Sequence, residues 1–366
     1  MSTGVSQQEK DGSPPSLTLC QWLHLIGKVA RSLCIIILRS IAAPFRLPKG
    51  QTCSRYVRYE GMRVFQTALS AVEKQNALPS TESTCRRFSR KRGLSQKDVQ
   101  LPDGTKVHWI GSPDAPRVIA YFHGGGYAAP ALSQHISFLY DNVSRYRDVS
   151  ILVLSYDLAS ETKNHYPRQL RQAVSMLNYL INEANKMPSN ISLVGNSAGC
   201  HLMLGLLLHI SHPSPLAPSL EIPGQLYQAI LTSPWVTFDV SARSMETNKD
   251  KDIICPSALA YWGQNVLSGA KVDPWNTPLS APRQWWSDLK VGDILILYGG
   301  DEVMHDDVAE FSSILKAAHP RTTVYELPGE CHEQVLINDL LHLNMEPLSG
   351  KIFSDWMEEH LRDGKS

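Results

Sequence analysis

Ile191-Ser192-Leu193-Val194-Gly195-Asn196-Ser197-Ala198-Gly199 is the stretch from which the rest of the chain can be read. Its first four residues are mostly aliphatic and predict a short buried strand, Ile191–Val194. After the turn, Ala198–Ile210 carries apolar side chains on every face, which predicts a buried helix. A serine at such a strand-to-helix turn is lifted clear of the sheet, and a glycine two residues away on either side leaves room for it. Ser197 is therefore the candidate nucleophile.

Working outward, strands and helices alternate. Val118–Phe122 and Ile151–Ser155 are strand candidates upstream, followed by a helical pattern over His165–Ala184. Downstream, Gln228–Thr232, Ile294–Tyr298 and Thr322–Leu327 read as strands, and Val303–His319 and Leu348–Leu361 as helices. This alternation predicts an α/β fold with a mostly parallel central sheet and helices on both faces. Lys97–Leu101 and Lys106–Ile110, joined by a Pro-Asp-Gly turn, predict an antiparallel hairpin ahead of it. The expected organisation is a disordered segment 1–16, an N-terminal amphipathic helix and helical cap over 17–92, and a catalytic domain over 93–366. Residues 238–288, irregular and bearing Pro and Trp, are expected as an inserted pocket wall. Trp235, Trp262, Trp275, Trp285 and Trp286 lie in or near it, either as wall or as packing.

Three further elements carry chemistry. His123-Gly124-Gly125-Gly126-Tyr127 follows a strand, and its successive glycines let backbone N–H groups form a cradle for an oxyanion. It has neither the Lys-Ser/Thr of a phosphate loop nor GxGxxG spacing. Gly299-Gly300-Asp301-Glu302 ends a strand and offers two adjacent carboxylates, either of which could orient a histidine. His332 follows the last strand and completes the order Ser, acid, His. Such a set attacks an ester without any metal or organic cofactor. The seven cysteines form no CxxC pair and fit free thiols in a reducing compartment; Cys200 and Cys331 read as small packing residues.

With these motifs assembled, the stretch from Lys97 to Leu361 resembles the hormone-sensitive-lipase branch of the α/β-hydrolases, and within it the fungal steryl-acetyl-hydrolase type. His123-Gly124-Gly125-Gly126-Tyr127 is similar to that family's oxyanion motif and Gly195–Gly199 to its nucleophile elbow. Tyr156-Asp157-Leu158-Ala159-Ser160-Glu161 followed by Tyr166-Pro167 is similar to its Tyr-Arg-Leu-Ala-Pro-Glu segment, with Ser160 in place of proline. Ser233-Pro234-Trp235 looks like its post-strand segment. The resemblance implies an α/β-hydrolase fold, a carboxylic ester hydrolase, and oxyanion donors at Gly124, Gly125 and Ala198. It also favours Glu302 over Asp301, because the family's acid stands four residues before an aspartate, as Glu302 stands before Asp306. Asp301 is then expected to hold the turn or cap the next helix. Two other readings share the scaffold: an acyltransferase or lactonase with the same triad, and a non-catalytic ligand-binding protein of the kind that has lost its histidine.

Charge bears on partners. A formal net charge of zero gives no electrostatic case for nucleic acid. The distribution is uneven, however: Gly12–Tyr59 holds seven Lys or Arg and no Asp or Glu, and a second basic run spans Arg86–Lys97. Between Leu19 and Ile41, Leu19, Trp22, Ile26, Ala30, Leu33, Ile37 and Ile41 recur every three or four positions, with His24, Lys28, Arg31 and Arg39 mostly opposite. The charges interrupt any membrane-spanning run, and the segment makes a poor secretory signal. It predicts an amphipathic helix that lies in a membrane interface or covers the catalytic domain. The location expected from this is intracellular, in the cytoplasm or on the cytosolic face of an internal membrane. The expected substrate is a hydrophobic small-molecule ester, such as an acetylated sterol or a lipophilic secondary metabolite.

Overall fold

The computed structural model describes residues 15–48 and 50–362, so the expected disorder at 1–16 falls outside the described residues but for the last two. Eight strands, β1 (Gln96–Gln100), β2 (Lys106–Ile110), β3 (Arg117–Phe122), β4 (Val149–Ser155), β5 (Ile191–Asn196), β6 (Leu226–Thr232), β7 (Val291–Gly299) and β8 (Thr322–Leu327), build one sheet. Their order is β1-β2-β4-β3-β5-β6-β7-β8. Only β1–β2 and β2–β4 run antiparallel; the other neighbours are parallel. The expected hairpin is present, with Asp98 opposite His108.

Side chains alternate across the sheet. Val118, Ala120 and Phe122 of β3 join Ile191 and Leu193 of β5 on one face, while Ile119, Tyr121 and Val194 pack on the other. The first face is covered by α6 (Arg168–Asn182), α7 (Ala198–Ser211) and α10 (His305–Ala318), the second by α5 (Ser133–Val143) and α12 (Leu348–Arg362), if helices are numbered in chain order. Every residue of α7 from Ala198 to Ile210 is buried, which explains its largely apolar sequence, and its two histidines, His201 and His209, bond carbonyl oxygens. The other helices are α1 (Leu19–Ala42), α2 (Cys53–Ala68), α3 (Ala71–Ala77), α4 (Thr81–Arg92), α8 (Arg243–Thr247), α9 (Pro256–Leu267) and α11 (Gln334–Leu340).

Parallel register positions the site. Phe122 lies opposite Gly195, Asn196 opposite Thr232, and Gly299 opposite Leu327, so β3, β5, β6, β7 and β8 end together along one edge. Loops at the carboxyl edge of such a sheet converge on a common crevice.

The N-terminal helices settle two questions of charge. α1 packs along α2 through a mixed face, in which Val29, Ile35 and Ile36 are half-buried beside polar groups. Lys28 pairs with Glu73 at 2.9 Å, Arg39 pairs with Glu60 at 2.6 Å, and Leu25 and Ser32 are buried. The apolar stripe faces outward: Leu19, Leu23, Ile26, Leu33, Ile37, Leu38 and Ile41 are all at least half exposed. Among the described residues no helix is long and apolar enough to cross a membrane. The second basic run lies on and after α4, where Arg86 meets Asp98 at 2.8 Å and Arg92 meets Asp141 at 2.8 Å. The last three residues of α4, Arg90, Lys91 and Arg92, sit at the negative end of its helix dipole.

Candidate active site

The turn between β5 and α7 puts Ser197 at φ +50°, a backbone conformation that side chains rarely adopt. The flanking glycines are sterically required. A Cβ on Gly199 would lie 2.0 Å from the Phe122 carbonyl oxygen, and one on Gly195 would lie 2.9 Å from the Cys200 nitrogen. The strained turn therefore holds the Ser197 hydroxyl at the sheet edge while β3 and α7 pack tightly beneath it.

Three distant loops meet there. Ser197 Oγ lies 2.8 Å from His332 Nε2, and His332 Nδ1 lies 3.0 Å from Glu302 Oε2. Because a carboxylate only accepts, Nδ1 carries the proton and Nε2 is left to take the one from Ser197. Glu302 is fully buried, and its other oxygen accepts from Ser233 Oγ at 2.8 Å and from the Gly299 amide at 2.5 Å. Burial alone would pull the His332 imidazole down, but the hydrogen bond and charge of Glu302, aided by Glu333 and Asp252, raise it, which favours the imidazolium formed once Ser197 gives up its proton.

Asp301 is placed differently. It points away from His332 toward Arg55 and Lys251, at 3.9 and 3.6 Å, and its amide donates to the Glu330 carbonyl at 2.9 Å. It thus ties its turn to the histidine loop and to α2 rather than capping α10. Of the two adjacent acids, only Glu302 reaches the histidine.

The glycine loop lies on the other side of Ser197. Gly125 and Gly126 have φ of +116° and +60°; a Cβ on Gly126 would lie 2.5 Å from the Trp262 ring. Among the described residues, no bond from the amides of Gly124, Gly125 or Ala198 occupies an acceptor within the chain. His123 anchors the loop from below. Its Nδ1 bonds the Gly124 carbonyl at 2.7 Å, Nε2 meets Thr81 Oγ1 at 3.2 Å, and its ring stacks on Tyr156 at 4.3 Å. Burial lowers that imidazole to about 3, so it stays neutral and structural.

A cavity of about 400 Å³ opens over Ser197 and His332. Met62 and Phe65 from α2 and Leu69 just after it, with Ile253, Ile254 and Trp262 from the insert, make it largely apolar. Of the five tryptophans considered, Trp262 alone lines it. Trp235 and Trp286 are buried in packing against Phe238 and Phe311, and Trp275 and Trp285 pack on each other. Cys200 and Cys331 are buried, as packing residues should be.

These loops and the sheet that carries them match a known family. The family described as alpha/beta hydrolase fold matches residues 119–336. The chain belongs to that family. It is similar to the acetyl-hydrolase of Streptomyces hygroscopicus, 28% identical over 246 residues that cover 66% of this chain and 76% of that one. Similarity to steryl acetyl hydrolase 1 of Saccharomyces cerevisiae, 24% over 207 residues, covers 52% of this chain and 46% of the yeast protein. Among solved structures, an esterase from the bacterial hormone-sensitive lipase family superposes with a TM-score of 0.63 at 21% identity, over 87% of this chain and all of that one. The family resemblance expected from the motifs is borne out; at such identity the structural likeness speaks for the fold.

Two residues of this α/β-hydrolase site were not read as functional in the sequence. Ser233, at φ +49°, donates to Glu302 and accepts from the Glu333 amide at 2.9 Å, joining the β6 loop to the acid and histidine loops. The Ser-Pro-Trp segment was its only signal. Asp252, fully buried in the insert, accepts from the Val303 and His332 amides, and nothing in its local sequence marks it.

Proposed function

We propose that this chain is a serine carboxylic ester hydrolase that works through an acyl-enzyme on a hydrophobic small-molecule ester. One observation carries the reading: the Ser197–His332–Glu302 chain of hydrogen bonds opens onto an apolar cavity beside a glycine loop with free amides. Ser197 Oγ attacks the acyl carbon and passes its proton to His332 Nε2, while Glu302 stabilises the imidazolium. The amides of Gly124, Gly125 and Ala198 hold the oxyanion. As the intermediate collapses, His332 protonates the departing alcohol. Water, deprotonated by the same imidazole, then releases the acid and restores Ser197.

The substrate class follows from the cavity and from the relatives. A cavity of about 400 Å³ walled by aliphatic and aromatic side chains suits a bulky apolar alcohol with a small acyl group, in line with two relatives named as acetyl hydrolases. Short-chain acyl esters of bulky alcohols are expected to exceed long-chain triglycerides in kcat/KM by about tenfold or more, equivalent to about 1.4 kcal/mol of transition-state binding. A matched ester panel measures this, and a preference for the triglycerides would reject the substrate assignment.

The outward stripe of α1 supports peripheral contact with a lipid surface. Its inner cations are spent on Glu73 and Glu60, so apolar burial rather than charge drives the association. Replacing Leu23, Ile26 and Ile37 together by serine is expected to weaken binding to phosphatidylcholine vesicles at least tenfold, since each side chain contributes roughly 1.5 kcal/mol or more when buried. Vesicle co-sedimentation of the full chain reads the effect; equal sedimentation of wild type and triple variant would remove the idea.

A further inference from the structure

We infer that Asp252 is a positioning residue that holds the acid loop and the histidine loop in the mutual register their hydrogen bond requires, an inference that rests on the hydrolase reading. The carboxylate comes from neither loop. It sits in the insert between α8 and α9, far in sequence from both. Its Oδ2 accepts from the Val303 amide at 2.8 Å, one residue after Glu302, and its Oδ1 accepts from the His332 amide at 3.0 Å. Oδ1 also accepts from the Ile253 amide at 2.7 Å, which fixes the rotamer of the side chain that bridges the loops.

Cost and geometry together point to function. Asp252 is fully buried, and among the described residues no cation stands within 4 Å of its carboxylate. A buried carboxylate without a counter-ion costs several kcal/mol before its hydrogen bonds are counted, and a neutral isostere would be cheaper for packing alone. What the carboxylate offers, and a neutral side chain does not, is two acceptor oxygens aimed at two amides that flank the catalytic pair. A shift of either loop by an ångström would break the 3.0 Å contact between Glu302 and His332. Arg63 of α2 donates in turn to the Asp252 carbonyl oxygen, so the insert is braced against the N-terminal helices. Burial pushes the carboxyl up to about 6, with the His332 charge opposing and Glu302 adding to the rise, which is what proximity to both catalytic partners produces.

Kinetics of Asp252→Asn, Glu302→Gln and the double variant on one short-chain ester test the assignment. The asparagine keeps one acceptor but turns an N–H donor toward one of the two amides. Asp252→Asn is expected to lower kcat roughly ten- to hundredfold while KM changes less than twofold. Combined with Glu302→Gln, the same substitution is expected to cost less than threefold, because the pair it serves is already broken. Asp252→Ser, which admits water to the same amides, runs in parallel, and thermal melts count the folded fraction. A purely structural side chain would instead give equal losses in both backgrounds, or only a lower melting temperature with kcat per folded molecule intact; either result overturns the assignment. Activity that survives Ser197→Ala overturns the hydrolase reading and this inference with it. Activity that depends on Ser197 but shows additive losses overturns the role of Asp252 alone.

Discussion

Ser197→Ala is expected to lower kcat by on the order of 10⁶-fold and to abolish labelling by a fluorophosphonate. The reasoning rests on what the hydroxyl does and does not do in the resting protein. Its oxygen bonds His332 Nε2 at 2.8 Å, and among the described residues no other side chain hydrogen-bonds to it. Alanine keeps the Cβ, so the strain at φ +50° is the same in both proteins and the turn should persist. The main-chain bonds that pin the turn, from the Ser197 amide to the Thr232 carbonyl at 3.0 Å and from the Trp235 amide to the Ser197 carbonyl at 3.3 Å, are untouched. The melting temperature should therefore move by only a few degrees, while covalent chemistry disappears. The residual rate is what the Gly124, Gly125 and Ala198 amides can give by binding alone. A variant that kept even a hundredth of the wild-type rate would place the nucleophile elsewhere.

How much of this site was legible in the chain depends on which physical demand each residue meets. Gly199 and Gly126 were legible because a side chain at either would collide with the Phe122 carbonyl or the Trp262 ring, and such demands leave glycines at fixed offsets from a strand end. The strands were legible because β5 and β6 are buried almost throughout and so read as short, mostly apolar runs. The outward turn of α1 was not. A stripe of Leu, Ile and Trp at helical spacing reads alike whether it meets a core or a lipid surface, and only the inward ion pairs of Lys28 and Arg39 decide the side. Nor was the part played by Asp252 or Ser233. Each acts by bridging loops that the sheet brings together from distant parts of the sequence, and no local pattern records such a meeting. Of the tryptophans, only Trp262 faces the cavity, because composition says that an insert holds large side chains but not which way they turn.

Glu302→Gln is expected to lower kcat about 10⁴-fold, whereas Asp301→Asn stays within about threefold. The first figure follows from the donors around Glu302. One carboxylate oxygen accepts from the Gly299 amide and the Ser233 hydroxyl, the other from His332 Nδ1. A glutamine must set its NH₂ against one of these sides. The Gly299 N–H cannot turn away, so the amide oxygen stays there and the NH₂ faces the imidazole. His332 must then accept at Nδ1 and carry its proton on Nε2, the tautomer that cannot receive the proton of Ser197. Asp301 has no such consequence. Its side chain is one-fifth exposed and meets Arg55 and Lys251 only at 3.9 and 3.6 Å, so its neutralisation removes contacts worth about 1 kcal/mol or less. Parallel kinetics of the two variants on one short-chain ester, with melts to show that both fold, separate the roles of these neighbouring acids. A collapse of activity in Asp301→Asn with Glu302→Gln nearly intact would reverse them, and would require the loop after β7 to turn over by one residue during turnover.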